Sequence, residues 1–598
     1  VTGATDSATR TARAIFLGAA AGDALGWPQE TRGGLIGGQK ERDRAVPRPE
    51  FRAWTRHAGH YSRRYQDPVL PGEYSDDTQL LLATARSCLA GDRWWDRLTE
   101  VELPTWPLYQ RGGGGAVLTA AASWADGRPP WHKDGAARAQ AVEKRYRAAG
   151  ANGVAMRIAP HVLWADSRAD LIRRIVRDGI TTHGHPRALV GALVYAFALF
   201  DAASSQGTHG FGDSVEKAAA GLIDIGQVLQ ALPAGWGAPR DLEDFAATWQ
   251  ETNKETSQLL ALVADSLHRG AMSNPEATLE RLGCTDPKIN GAGTVSAAAA
   301  IYLASRFAAR PQDGLLSAAF LRKADTDTLA ALTAAILGAL HDTHWLGNLS
   351  IGVQDAEYIA ALAERSAAHV IAPPPWPTRR PHALRRTLKN ALLSRHETRG
   401  EFPDGRRYRL DDLAALHDGR MLRARLRLDD GQTVVVDLHA DPDDRSGRRE
   451  SYEHREQTSR QGNPESRHHS SESTTPARPA VLTAATPSPH GASVVLATRN
   501  LARSASFYAQ LTGRDIAVRA DIAEITPGLL LRHSAVEAPI DSSSVTVQIT
   551  VDSLPAAQRR LGLDITTAQD RTSTIDVRDP DGRVVRISQH PASSQPDR

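Results

Sequence analysis

The sequence predicts a multidomain protein. It has a large all-α domain over 10–370, a small β-hairpin-containing region over 384–440, a disordered linker over 441–489 and an α+β domain over 490–590. Three observations carry that division. Apolar residues recur every three or four positions through the first part, as at Leu329, Leu332, Ile336 and Leu340. Between 441 and 474 the sole member of the hydrophobic set is Tyr452, too little apolar surface to offset the entropy of ordering. Beyond 490 apolar and polar residues alternate, as in Val545-Thr546-Val547-Gln548-Ile549-Thr550-Val551.

Composition sets the bounds. A chain of 598 residues with 41% hydrophobic and 23% charged residues is ordinary for a globular protein, which excludes wholesale disorder. Its 71 basic and 69 acidic groups leave a net charge of +2, so the whole molecule is no polyelectrolyte clamp for nucleic acid. Cys88 and Cys284 offer neither a disulfide framework nor metal-knuckle spacing, and a reducing cytoplasm is the expected location. No stretch approaches the ~18 consecutive apolar residues of a membrane span, so no membrane partner is expected.

Taken in order, Ile15–Ala21 behind Arg10 and Arg13 looks like a short export-signal core, but it breaks at Asp23 and reads as the first helix. The segment 42–65 mixes Arg42, Arg44, Arg48, Arg52, Arg56, Arg63 and Arg64 with Trp54, Tyr61 and Tyr65. It reads equally as a phosphate- and base-holding rim or as a solvated loop. Ala-rich apolar runs at 187–200 and 295–307 are core helices. Pro373, Pro374, Pro375, Pro377 and Pro381 end the helical pattern, because proline removes a donor and clashes with the preceding turn. Arg423–Leu428 and Thr433–Leu438 flank Asp429-Asp430-Gly431-Gln432, a hairpin signature.

Chemistry concentrates in three acidic clusters, 22-GDALGWPQE-30, 72-GEYSDDTQLLL-82 and 324-ADTDTLAAL-332. Ser75, Asp76 and Asp77 open one apolar helix; Asp325, Asp327 and Thr328 open another. Either cluster alone reads as helix capping. Two clusters of paired acids beside a hydroxyl exceed what capping needs, since adjacent carboxylates repel without a cation between them. The hard oxygen set suits Mg²⁺ or Mn²⁺.

The ordered strings GDALGWPQE (22–30), PGEYSDDTQ (71–79), ANGVAMRIAP (151–160), TTHGHP (181–186) and ADTDT (324–328) resemble the ADP-ribosylglycohydrolase family over roughly 340 residues. The resemblance implies an all-α fold with two Mg²⁺ ions, Mn²⁺ being the alternative, at the floor of an ADP-ribose cleft. It implies Ser75, Asp76 and Asp77 as one metal half-site and Asp325, Asp327 and Thr328 as the other. Glu30 matches a mobile acidic residue over the metals, with Asp23, expected to bind substrate, just before it. Asn152, Gly153, Met156 and Arg157 match the segment lining the nucleotide, and His183 the histidine near the distal ribose or diphosphate. His185, before Pro186, reads as a residue at the start of a helix. Many relatives carry two glycines where this chain has Lys323-Ala324. That departure leaves open a catalytically impaired ADP-ribose-binding protein.

Cleaving the C1″ glycosidic bond builds oxocarbenium-like charge on the ribose and needs a positioned, activated water. Paired cations about 3.5–4 Å apart lower the water's pKa, and Glu30, Asp77 or Asp325 takes its proton. The expected partner is an ADP-ribosylated macromolecule, protein arginine before nucleic acid. Finally, 493-SVVLATRNLARSASFYAQLTG-513 and 577-VRDPDGRVVRI-587 resemble the glyoxalase/bleomycin-resistance superfamily. Its metal positions fall on Ser493, Thr546 and Arg586, poor ligands. The resemblance therefore implies a metal-free module that binds a small ligand or self-associates.

Overall fold

The computed structural model of the chain describes residues 2–30, 46–58, 65–204, 212–394, 398–416 and 421–439. In the C-terminal part it describes 481–483, 494–498, 501–512, 518–519, 522–526, 529–533, 546–551, 574–578 and 584–589. The chain divides into two compact units, Val1–Ser459 and Arg460–Arg598.

In the first unit, helices Thr2–Gly26, Pro186–Ser204, Gly293–Arg306 and Thr326–Leu340 form the centre. Their Ala and Leu side chains are almost wholly buried. The N-terminal helix lies backbone to backbone against Thr326–Leu340. A Cβ on Gly18, Gly22 or Gly26 would sit 2.5, 2.4 or 2.2 Å from the carbonyl oxygens of Ala334, Ala330 and Thr326. Glycine every fourth residue makes a flat stripe, and that stripe brings together two helices whose adjoining ends carry acidic clusters. Among the described residues one helix, Pro186–Ser204, is long and apolar enough to cross a membrane. Leu189, Leu193 and Leu199 within it are fully buried, so it serves as a core helix.

Two segments depart from the expected plan. The Arg-rich segment supplies β1 (Trp54–Ala58), paired antiparallel with β2 (Tyr65–Val69), where one of the two readings was a solvated loop. Trp54 and Val69 bury against Trp27, and this apolar anchor is what orders the hairpin. The region after the prolines starts with helix Pro381–Ser394 and continues as a four-stranded antiparallel sheet. Its strands run in chain order: β3 (Arg399–Glu401), β4 (Arg407–Leu416), β5 (Met421–Leu428) and β6 (Thr433–His439). The expected hairpin is β5–β6. The sheet lies inside the first unit, its inner face (Tyr408, Ala424, Leu426, Val434, Val436) sharing an apolar cluster with Trp94, Leu98 and Trp106.

Among the described residues the second unit holds one helix, Leu501–Thr512, and two four-stranded sheets. The described strands are β7 (Val481–Thr483), β8 (Val494–Thr498), β9 (Val518–Arg519), β10 (Ile522–Thr526), β11 (Leu529–His533), β12 (Thr546–Val551), β13 (Thr574–Arg578) and β14 (Val584–Gln589). Their orders are β8-β11-β10-β9 and β13-β14-β12-β7. Strand β7 pairs in parallel with β12, so structure begins inside the stretch expected to be linker through 489. The rest of that linker lies outside the described residues. So does Ser493, whereas Thr546 opens β12 and Arg586 pairs with Gln548 across β12 and β14.

Candidate active site

Ser75 is the N-cap of helix Asp76–Cys88, its hydroxyl accepting from the Asp77 amide at 3.2 Å. Asp23, fully buried, accepts from the Ser75 amide and from the amide and hydroxyl of Thr78, the last at 2.6 Å. Asp23 was expected to bind substrate. In the structure both its carboxylate oxygens hold the start of the Asp76 helix, and this fixes the aim of Asp76 and Asp77.

Across from it, Asp325 sits at the N-cap position of helix Thr326–Leu340 without a side-chain capping bond, and Asp327 accepts from the Thr328 amide at 2.9 Å. The Asn152 amide donates to Asp325 Oδ2 and to the Ser296 hydroxyl, each at 3.0 Å. Glu30 follows the short 3-10 helix Trp27–Gln29 that ends the N-terminal helix. Its carboxylate lies with those of Asp325 and Asp327 in one group, each offering an oxygen within 4.8 Å of the others. The two clusters face one another: burial, then the charges of Asp23 and Asp325, push the Asp76 carboxyl up to about 7. Burial followed by Asp23 and Asp76 raises Asp77, and burial followed by Glu30, Asp325 and Asp77 raises Asp327. Asp77 Oδ2 is buried with no hydrogen-bond partner. A ring of mutually destabilising carboxylates with an orphaned oxygen fits one or two hard divalent cations, which would neutralise the repulsion and accept that oxygen's unused lone pairs.

The other expected substrate residues divide. Arg157 is fully buried, and its guanidinium donates to Asp178 (2.8 Å), the Gly153 carbonyl (2.8 Å), Thr181 and Thr182. Met156 packs in an apolar cluster with Trp106 and Val117. His183, also buried, pairs its Nδ1 with the Thr182 hydroxyl at 2.7 Å, and burial followed by the Arg157 charge pushes it down to about 3, so it is neutral. A Cβ on Gly153 would sit 2.9 Å from the His183 ring, so glycine there is what lets the ring lie flat against the chain. His185 Nδ1 accepts from the Arg187 amide at 3.1 Å, a capping contact at the start of the Pro186 helix.

Two features escaped sequence reasoning. The run Arg111-Gly112-Gly113-Gly114-Gly115 borders the site: a Cβ on Gly112, at φ 106°, would approach Asp76 Oδ1 to 2.8 Å. Four consecutive glycines opening a helix were its available signal. Trp27 is the other; its buried indole nitrogen lacks a hydrogen-bond partner, and the Arg56 and Arg111 guanidiniums lie 5.2 and 5.5 Å from its ring centre. Arg56 itself is paired with Asp67 at 2.5 Å, and Arg52 is exposed. Arg42, Arg44, Arg63, Arg64 and Tyr61 lie outside the described residues.

A family model described as ADP-ribosylglycohydrolase matches residues 4–375. Among solved structures, a chain titled "ADP-ribosylglycohydrolase-related protein complex" is similar at 22% identity and a TM-score of 0.37, covering 61% of this chain and 99% of that one. No curated protein matches.

Proposed function

The chain belongs to the ADP-ribosylglycohydrolase family, and from that premise we propose a cytosolic, Mg²⁺-dependent hydrolase that frees ADP-ribose from a modified macromolecule, protein arginine being the favoured target. The observation that carries this reading is the meeting of the two carboxylate clusters, with Glu30 beside Asp325 and Asp327. Divalent cations bound by Ser75, Asp76, Asp77, Asp325, Asp327 and Thr328 would supply Lewis-acid binding of ribose hydroxyls and of water.

The chain's own groups do the rest. Asn152 fixes the rotamer of Asp325, and Asp23 fixes the helix start that presents Asp76 and Asp77. Glu30, half-buried at the end of a short helical turn, takes the proton of the attacking water as its oxygen joins C1″. The departing nitrogen leaves with the bonding pair and gains a proton. The amides of Gly114 and Gly115, at the start of helix Gly115–Ala125, suit the diphosphate, whereas the Gly113 amide already donates to the Gln110 side chain at 3.0 Å. Neutral His183 offers a hydrogen bond without adding charge. The Lys323-Ala324 departure leaves the backbone in a glycine-like conformation, with Lys323 at φ 66° and its side chain exposed, which favours an active enzyme over an impaired one. The second unit, similar in sequence to the glyoxalase superfamily, serves as a metal-free ligand-binding or self-associating module.

The test measures ADP-ribose released from arginine-, serine- and nucleobase-linked substrates, with and without Mg²⁺, at two salt concentrations. Release from the arginine linkage, dependent on Mg²⁺ and weakly on salt, is expected. Preference for the nucleobase linkage with a steep salt slope overturns the choice of target. Full activity in chelator with zero bound metal overturns the mechanism.

A further inference from the structure

The family match ends at residue 375, yet the sheet beyond it grips the residues that flank one metal half-site. Glu73 lies two residues before Ser75. It is ion-paired to Arg425 of β5 and to Arg111, the latter at 2.5 Å. Tyr74, the next residue, donates its hydroxyl to Asp355 at 3.0 Å, and Asp355 also accepts from the Thr433 amide of β6 at 2.8 Å. Arg86, on the helix that Asp76 and Asp77 open, donates to Gln432 Oε1 at 2.9 Å, which also accepts from Arg406 at 2.8 Å. The hairpin is held in the same way. Asp67 of β2 pairs with Arg423 of β5 at 2.6 Å and with Arg111 at 2.8 Å, while the Tyr65 hydroxyl donates to Asp437 of β6 at 2.6 Å.

Arg111 therefore joins both networks and immediately precedes Gly112, the residue against Asp76. The loop has little freedom otherwise. Gly72, at φ 80°, touches the Gly352 carbonyl so closely that a Cβ would lie 2.2 Å from it.

We propose that the β3–β6 sheet is a positioning element of the catalytic centre, with Arg425 and Arg423 acting through Glu73, Asp67 and Arg111 to set the aim of Ser75, Asp76 and Asp77. This rests on the hydrolase reading above. Groups that orient metal ligands from behind change metal affinity by roughly 10–100-fold when removed. The sheet does so from outside the stretch that carries the motifs.

The experiment compares Arg425→Met, Arg425→Lys and Arg409→Met in the full chain, measuring kcat, KM, Mn²⁺ affinity by calorimetry and the thermal midpoint. Arg409 is the control: it lies on β4 and pairs with Asp411 on its own strand. Arg425→Met should weaken Mn²⁺ binding roughly tenfold and lower kcat with little change in KM, at a thermal midpoint like that of Arg409→Met. Arg425→Lys should recover part of both losses. Should Arg425→Met not fold, Arg425→Gln carries the same comparison. Unchanged Mn²⁺ affinity and kcat in a folded Arg425 variant overturns the proposal. If the unsubstituted chain releases no ADP-ribose, the hydrolase reading falls, while the Mn²⁺ titration still decides the positioning role.

Discussion

At residue scale, Lys323 shows how a motif departure is absorbed. An L-residue in the left-handed region costs roughly 1–2 kcal/mol. The strained turn persists because the Asn290 amide holds the Lys323 carbonyl at 2.9 Å and Ala324 is buried. Lys323→Gly should therefore raise stability by about 1 kcal/mol, read as a denaturant midpoint, and leave ADP-ribose release unchanged. A large gain in release would instead mean that the lysine obstructs the cleft. For Glu30→Gln, kcat should fall far more than ADP-ribose affinity, because a proton acceptor acts chiefly in the transition state. Equal losses in both would move Glu30 to a binding role. The acids were legible in sequence because paired carboxylates at two helix starts are hard to explain otherwise. Asp23 and Arg157 were not, since the motif strings fix which residue is present but not which way it faces. Asp23 turns toward the helix amides and Arg157 toward Asp178, choices set by packing.

At element scale the helices were legible from their period of three to four, but their closest contact was not. That contact uses glycine at 18, 22 and 26, whose spacing of four is plain only once the facing helix is known. Gly22→Ala should cost about 1–3 kcal/mol by overpacking, seen as a lower thermal midpoint, and should impair activity by separating Glu30 from Asp327. A neutral result would mean that the helices shift apart freely. The β1–β2 hairpin was hidden by its arginines, because its order comes from Trp27 and from ion pairs with distant segments. Burial opposes ionisation of Asp67, but Arg111, Arg56 and Arg423 overcome it and hold the carboxyl down at about 2. Its pairing thus stabilises the fold above the ordinary carboxylate range. That stabilisation, on the order of 2 kcal/mol, is lost as pH falls from about 4 toward 2. Asp67→Asn should lower the thermal midpoint at pH 7 and flatten its decline between pH 4 and 2. An unchanged acid slope would assign the loss to other carboxylates.

At the scale of the whole molecule, the divalent cations should all belong to the first unit. Its carboxylates repel one another inside a buried floor, and a cation lowers that cost, so binding should couple to stability. In the second unit the proposed resemblance to the glyoxalase superfamily would put the metal positions on Ser493, Thr546 and Arg586, a hydroxyl pair and a cation where a soft or hard metal needs an anionic or imidazole set. The full chain should therefore take up about two Mn²⁺ ions, with a thermal midpoint that rises as Mn²⁺ is added. Asp76→Ala combined with Asp327→Ala should remove both ions, the midpoint rise and all ADP-ribose release, while the chain stays folded because the repulsion has also been relieved. Stoichiometric Mn²⁺ remaining in that double variant would place a metal elsewhere and show that the strand alignment behind Ser493, Thr546 and Arg586 is shifted. Mn²⁺ uptake without release of ADP-ribose in the unsubstituted chain would leave a metal-binding member of the family whose chemistry lies with another bond.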